Sequence, residues 1–276
     1  MSTRTYADRA KVAHDTLART DSIVASTPGA SLDAEFLHDA DLPPLTHGES
    51  GLPWPNYTPQ RVRIVNSDSF TLARELLKEI PDARVAVLNL ASDEYPGGGW
   101  EVSLSRTQEE ALCYSSTLFK TLNASWYPWP NTGPGSVAGI FSPAVVVFKD
   151  DLAHDCADLP ESERVVVSVL TVAAPRALKG HLSDSELNDL RGKIRLTLRM
   201  AARRKQDVLV LGAMGCGAYR CPPKQVSQEM RDILKEEEFK GWFRLVTFAV
   251  FSKRDPNFVG GDNFDVFTET FTNVEV

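Results

Sequence analysis

"ARVAVLNLASDEYPGGGWEVSLSRTQEE", Ala83 to Glu110, carries three signals in succession. It opens with "ARVAVLNLA", an almost continuous apolar run of the kind found in a strand buried on both faces. Three consecutive glycines, Gly97-Gly98-Gly99, follow. Eight residues further on stand Gln108-Glu109-Glu110, near the start of a segment predicted to be helical over Thr107–Leu122. A backbone stripped of side chains is thereby set one loop away from two adjacent carboxylates.

Outward from this stretch the same rhythm continues. Toward the N-terminus, Arg61–Asn66 reads as a strand and Ser69–Glu79 as a helix. Before them lies an irregular, Pro- and Gly-rich segment from Ala30 to Gln60, and an amphipathic helix over Tyr6–Leu17. Toward the C-terminus, strands are expected at Ala144–Phe148, Arg164–Ala174, Asp207–Met214 and Phe243–Phe251. Helices are expected over Ser183–Arg203, in "PPKQVSQEMRDILKEE", whose prolines suit a first turn, and in "DNFDVFTETF". Alternating buried strands and helices specify a three-layer α/β domain. The insert "NASWYPWPNTGPGS" has no derivable role.

Composition narrows the chemistry. The 276 residues carry a formal charge of −7, so a broad basic face for nucleic acid is not expected, and no direct DNA binding with it. A polyanion could still be held by backbone N–H groups and a helix N-terminus. Cys113, Cys156, Cys216 and Cys221 have no CxxC spacing, and the five histidines form no HExxH, so reduced thiols and no metal site are expected. No signal-like or membrane-length apolar run is visible, which gives the expectation of a soluble, intracellular protein.

A second glycine turn, "LGAMGCGAYRCPP", also leaves a very apolar strand. Glycine at such strand ends permits φ > 0 and close approach to a pyrophosphate. No Gly-Lys-Ser/Thr follows, and GxGxxG is absent, which excludes a P-loop and a dinucleotide fingerprint. Neighbouring helical residues point about 100° apart, so one of Glu109 and Glu110 is expected to face the glycines while the other reaches sideways. One acid beside a diphosphate cradle suits cleavage of a glycosidic bond in a nucleotide sugar. First-turn acidic residues that merely complement the helix dipole remain the plainer reading.

Gly97-Gly98-Gly99, eight residues and then Gln108-Glu109-Glu110 resemble the signature of macrodomain-type poly(ADP-ribose) glycohydrolases, particularly the compact microbial type. "VRIVNSDSF", "QEEALCYSSTLF", "FSPAVVVFKDD", "VSVLTVAAPR" and "LGAMGCGAYRCPP" resemble further blocks of that family, in its order. The resemblance implies a macrodomain-like fold with a mixed central sheet flanked by helices. Residues 61–276 would form the catalytic domain, and residues 1–60 a helix-and-loop extension packed on it.

By the same resemblance Glu110 is the catalytic acid and Glu109 hydrogen-bonds the ribose being cleaved. Gln108, Gly97, Gly98 and Gly99 belong to the substrate site, the glycines passing beneath ribose and diphosphate. Gly215, Cys216, Gly217 and Ala218 close over the diphosphate, and Tyr219 packs on the ribose. Asn89 contacts ribose hydroxyls and Asp68 reads the adenine amino group. Asn89 as a strand-end cap, Asp68 as a helix N-cap and Tyr219 as a core aromatic stay open, and Cys216 reads as an inert thiol rather than a nucleophile.

The implied activity is hydrolysis of ribose–ribose bonds in poly(ADP-ribose), without cofactor, by a monomer acting on ADP-ribosylated proteins in cytoplasm or nucleus. That is reversal of ADP-ribosylation, as in a DNA damage response. A non-hydrolytic ADP-ribose reader and a hydrolase of protein-linked ADP-ribose are the alternatives. One segment departs from the family pattern: "WEVSLSRT" stands where a small, Gly- and Ala-containing stretch is usual.

Overall fold

The structure is a computed structural model that describes residue 3 and residues 5–177, 179–252 and 262–276. Seven strands form one sheet: β1 (Glu35–His38), β2 (Arg63–Val65), β3 (Val85–Leu90), β4 (Ala138–Val147), β5 (Val165–Val172), β6 (Val208–Leu211) and β7 (Leu245–Ala249). Their order is β1-β4-β5-β3-β6-β7-β2. The run from β5 to β2 is parallel, whereas β1 with β4 and β4 with β5 are antiparallel, so the sheet is mixed.

The central strands are apolar throughout because both faces are covered. Ala86, Leu88, Leu209 and Leu211 join one core with α5 (Asp184–Arg203), α6 (Pro223–Leu234) and α7 (Asn263–Thr270). Val85, Val87, Val208 and Val210 join the other core with α1 (Tyr6–Ser26), α2 (Ser69–Glu79) and α4 (Gln108–Ser115). The period-2 alternation of strand side chains thus divides one hydrophobic run between two layers of helices.

Four elements differ from the sequence expectation. Helix α1 continues nine residues past Leu17, to Ser26. Its buried stripe is Val12, Ala13, Thr16, Thr20 and Ile23, and the two threonines interrupt the apolar period. Thr20 Oγ1 returns its hydrogen bond to Thr16 O at 2.8 Å, so the hydroxyl needs no solvent. Strand β1 arises inside the segment expected to be irregular and pairs Glu35–His38 with Phe141–Ala138. Residues 1–60 therefore contribute an edge strand to the same sheet.

Strand β4 begins six residues before Ala144, because Pro143 falls at a register shift between Ser142 and Val145, where a missing N–H is tolerated. Helix α4 stops at Ser115 instead of running to Leu122, and only a 3₁₀ turn at Leu118–Thr121 follows. The hydroxyls of Ser115, Ser116 and Thr121 bond to carbonyls three or four residues back. Ser116 itself bridges to Val147 of β4. Among the described residues no helix is long and apolar enough to cross a membrane.

Candidate active site

The C-terminal ends of β3, β6 and β7 open on one side of the sheet. A cleft of about 390 Å³ lies there, with Asp68, Leu90, Gln108, Ala213, Ala218 and Phe251 among its walls. Its wall includes the start of α4, and the next two residues of that helix are the carboxylates.

Gln108 fixes the start of α4 to the sheet. Its Oε1 accepts from Leu90 N–H at 2.9 Å, and its Nε2 donates to Leu88 O at 2.8 Å and to Ser69 Oγ at 3.1 Å. Pairing of β3 with β6 ends at Val87, so the side-chain amide takes up the strand's next unpaired groups. Gln108 thus stands in for a peptide of a neighbouring strand.

The loop beneath the carboxylates is built on three left-handed residues, with φ of 59°, 64° and 71° at Gly97, Gly98 and Gly99. A Cβ on Gly97 would lie 2.9 Å from Phe119 and Trp100, and one on Gly98 would lie 2.8 Å from Glu110 Oε1 and 3.2 Å from Glu109 Oε2. Both carboxylates therefore reach the middle glycine. The expectation that one would turn sideways is corrected: the helical positions diverge, but long side chains converge over a loop that has none.

Their surroundings still set them apart. Glu109 is 2% exposed, and its oxygens accept from Asn89 Nδ2 at 3.1 Å and from Ser92 N–H at 2.7 Å. Burial pushes its carboxyl up to about 8; the two donors oppose this and the charges of Glu110 and Asp93 reinforce it. Glu110 is 5% exposed, its Oε2 has no hydrogen-bond partner, and burial raises its pKa as well. Glu109 is held by two donors, whereas Glu110 keeps one oxygen without a partner.

Asn89, fully buried at the end of β3, divides its Nδ2 between Glu109 and Thr171 Oγ1 and leaves Oδ1 unpartnered. Asp68 caps α2, accepting from Phe70 N–H and Thr71 N–H, while lining the cleft. Its carboxyl is pushed up to about 6, first by burial and further by the charges of Asp151 and Asp150. Capping and facing the cleft coexist in this residue.

In the second glycine loop only Gly215 has a positive φ, 73°, and a Cβ there would lie 2.6 Å from Ala174 Cβ and Cys221 Sγ. Gly217 opens a turn closed by Arg220 N–H to its carbonyl at 3.0 Å, but it has no positive φ and nothing within 4 Å of an added Cβ, so what its missing side chain leaves is open space in the cleft wall. The Cys216 thiol, raised by burial and next to Cys221, points its Sγ at Met214 O. Tyr219 is half-buried, and its hydroxyl donates to Asp93 Oδ1 at 2.6 Å.

Asp93, Arg176 and Asn131, together with the Ser92 amide, escaped the sequence reading. The available signal was charge placed directly after a buried strand, in "LASDE" and "VAAPR". The departing segment is also explained. Trp100 is wholly buried, and α1 holds the stretch through Tyr6 Oη to Val102 O at 2.5 Å and Arg9 Nε to Leu104 O at 2.6 Å.

Residues 5–150 match the family described as "Microbial-type PARG, catalytic domain". No curated protein matches the chain. Among solved structures, the chain is similar to poly(ADP-ribose) glycohydrolase from Thermomonospora curvata, at 26% identity and a TM-score of 0.77, covering 95% of this chain and 98% of that one. The same enzyme bound to the inhibitor ADP-HPD gives 26% and 0.74, with 95% and 98% covered. A variant of the Deinococcus radiodurans enzyme in complex with ADP-ribose gives 28% and 0.72, covering 89% and 98%.

Proposed function

The chain belongs to the microbial-type PARG catalytic-domain family, and from that premise we propose that it hydrolyses ribose–ribose O-glycosidic bonds in poly(ADP-ribose), with Glu110 as the acid and then the base. The observation that carries this assignment is the buried Glu110 carboxyl, whose Oε1 faces Gly98 and whose Oε2 has no hydrogen-bond partner. Burial favours the protonated acid that the first step needs.

Protonated Glu110 gives its proton to the departing 2′ oxygen as the bond from that oxygen to the anomeric carbon breaks. The anomeric centre becomes oxocarbenium-like. Glu110, now a carboxylate, takes a proton from water while the water oxygen bonds to that carbon. Free ADP-ribose leaves, the shortened polymer carries the 2′-hydroxyl, and the acid is restored. Glu109 holds the ribose, itself oriented by Asn89 and Ser92. Backbone donors of the two glycine loops take the diphosphate, so the −7 chain binds a polyanion without a lysine cluster. Polymer-bearing proteins are its partners.

Glu110→Gln tests this reading. Cleavage of polymer on an automodified acceptor should fall by at least ~10²-fold, with ADP-ribose affinity within a few-fold of the parent. Cleavage at the parent rate would remove Glu110 from the mechanism. A parent that binds ADP-ribose but cleaves nothing would be a reader, and one that frees ADP-ribose only from mono-modified acceptors would be the other hydrolase.

A further inference from the structure

The loops around the site meet at a carboxylate that the mechanism above does not use. Asp93 is 3% exposed. Its Oδ1 accepts from Tyr219 Oη at 2.6 Å, Arg176 Nη2 at 2.9 Å and Asn131 Nδ2 at 3.0 Å, and its Oδ2 from Arg176 Nη2 at 3.1 Å. Its backbone N–H donates to Tyr219 Oη at 3.3 Å, and its carbonyl accepts from Trp129 N–H at 3.1 Å. One residue earlier, Ser92 N–H holds Glu109.

Arg176 completes the device. It bonds Glu94 Oε1 at 2.6 Å, and its guanidinium lies 4.9 Å from the centre of the Tyr219 ring. Asn131, from the insert without a derivable role, donates to Ala174 O and accepts from Arg176 N–H, and its own carbonyl accepts from the buried Lys193 Nζ. Four segments are thereby fixed to one point: the loops after β3, β5 and β6, and the 129–131 stretch. A tyrosine needing only satisfaction could be served by one neutral acceptor or water. A buried carboxylate with its own guanidinium is costly to assemble and fixes direction as well as distance.

We propose that Asp93 and Arg176 are positioning residues for the hydrolysis, acting by holding Tyr219 against the substrate. The proposal rests on the function given above, since Tyr219 meets the ribose only in that reading. Gly217 and Ala218, immediately before Tyr219, already line the cleft.

The test is a mutant cycle on the full chain, read by calorimetric titration with ADP-ribose and by polymer cleavage. Asp93→Asn keeps the shape but loses the charge; it should weaken ADP-ribose binding roughly ten-fold and lower kcat. In a Tyr219→Phe background the same change should weaken binding by less than about two-fold, because the contact it acts through is gone. Arg176→Lys, which keeps the charge but not the fork, should give an intermediate loss. It supplies the same cycle with Tyr219→Phe if Asp93→Asn does not fold.

A lower melting temperature with unchanged affinity and kcat, or equal losses in both backgrounds, would overturn the proposal and leave a purely structural cluster. A parent that binds ADP-ribose without cleaving polymer would remove the glycohydrolase reading, yet the affinity cycle would still decide the proposal. A parent that binds no ADP-ribose would overturn both.

Discussion

Gly98 lies directly against Glu110: a Cβ at position 98 would sit 2.8 Å from Glu110 Oε1. Gly99, its neighbour, shares the left-handed backbone at φ 71° but has only Tyr95 Cβ, at 3.9 Å, near the same point. The pair therefore separates two roles of glycine. Gly98→Ala and Gly99→Ala both incur backbone strain of about 1–3 kcal/mol. Only the first should displace the acid, with polymer cleavage falling at least ~10²-fold, while Gly99→Ala stays within a few-fold at temperatures where both are folded. Equal kinetics in the two variants would show that the close approach at Gly98 is dispensable.

Glu109 gives a pH signature of stability. Its carboxyl ordinarily titrates at 4.5 and is pushed up to about 8 in the fold, chiefly by burial. Between those values the folded chain holds a proton that the unfolded chain has lost. The contribution is thus fully present below pH 4.5 and disappears as pH rises through 8. Melting temperatures measured from pH 5 to 8.5 should fall more steeply for the parent than for Glu109→Gln, which does not titrate. The amide variant carries a constant offset, because its single carbonyl oxygen cannot serve both Asn89 and Ser92; the difference in slope is the observable. Parallel curves would mean that Glu109 is ionised in the fold.

The second glycine loop should divide in the same manner. Gly215→Ala meets Ala174 and Cys221 at 2.6 Å with φ at 73°, so it should destabilise the fold by roughly 1–3 kcal/mol or more, seen as a lower denaturant midpoint. Gly217→Val should melt like the parent and instead weaken ADP-ribose binding, because its side chain would project into the cleft. Parent-like binding by a folded Gly217→Val would show that this wall does not approach the ligand.

Gln108→Glu preserves size but removes the donor to Leu88 O and Ser69 Oγ and sets a charge against a buried carbonyl. A stability loss on the order of 1–3 kcal/mol is expected, with turnover reduced because the first turn of α4 shifts. Hydrogen exchange at Leu90 N–H, which bonds to the Gln108 side chain, should accelerate in Gln108→Ala. Unchanged protection there would mean that the strand end is held by other contacts.

The proposed use of backbone amides rather than a counterion-releasing lysine cluster for the diphosphate predicts that salt has little effect on ADP-ribose affinity. Titrations at low and high salt check this; a steep decline would point to side-chain cations as the phosphate contacts.

The parts legible in the sequence were those in which the local rules agreed and no distant contact overrode them. Ser69–Glu79 is helical over the expected residues, because a capping aspartate and an apolar period agree. The buried runs of β3, β6 and β7 announced themselves by composition. Strand β1 did not, since four edge residues with a half-buried pattern carry almost no period. The two carboxylates were legible as a pair, but their convergence on Gly98 was not, because it depends on where a distant loop turns. Least legible was Asp93. Its partners lie 38, 83 and 126 residues away, at Asn131, Arg176 and Tyr219, and no window of sequence contains them together.

Helix α1 reaches the segment between the glycines and the carboxylates at Val102 and Leu104, and reaches α4 at Tyr114, through contacts spanning 95 to 98 residues. During synthesis α1 emerges well before the segments it supports, and its docking closes a loop of nearly a hundred residues, an entropic step that local structure cannot shorten. A chain with its sheet assembled and α1 undocked would keep the ties of Gln108 and Glu109 to β3 and the loop after it but would lack these supports from α1. Docking of α1 is accordingly a long-range step that completes the support of the stretch between the glycines and the carboxylates, late in the order of folding rather than early.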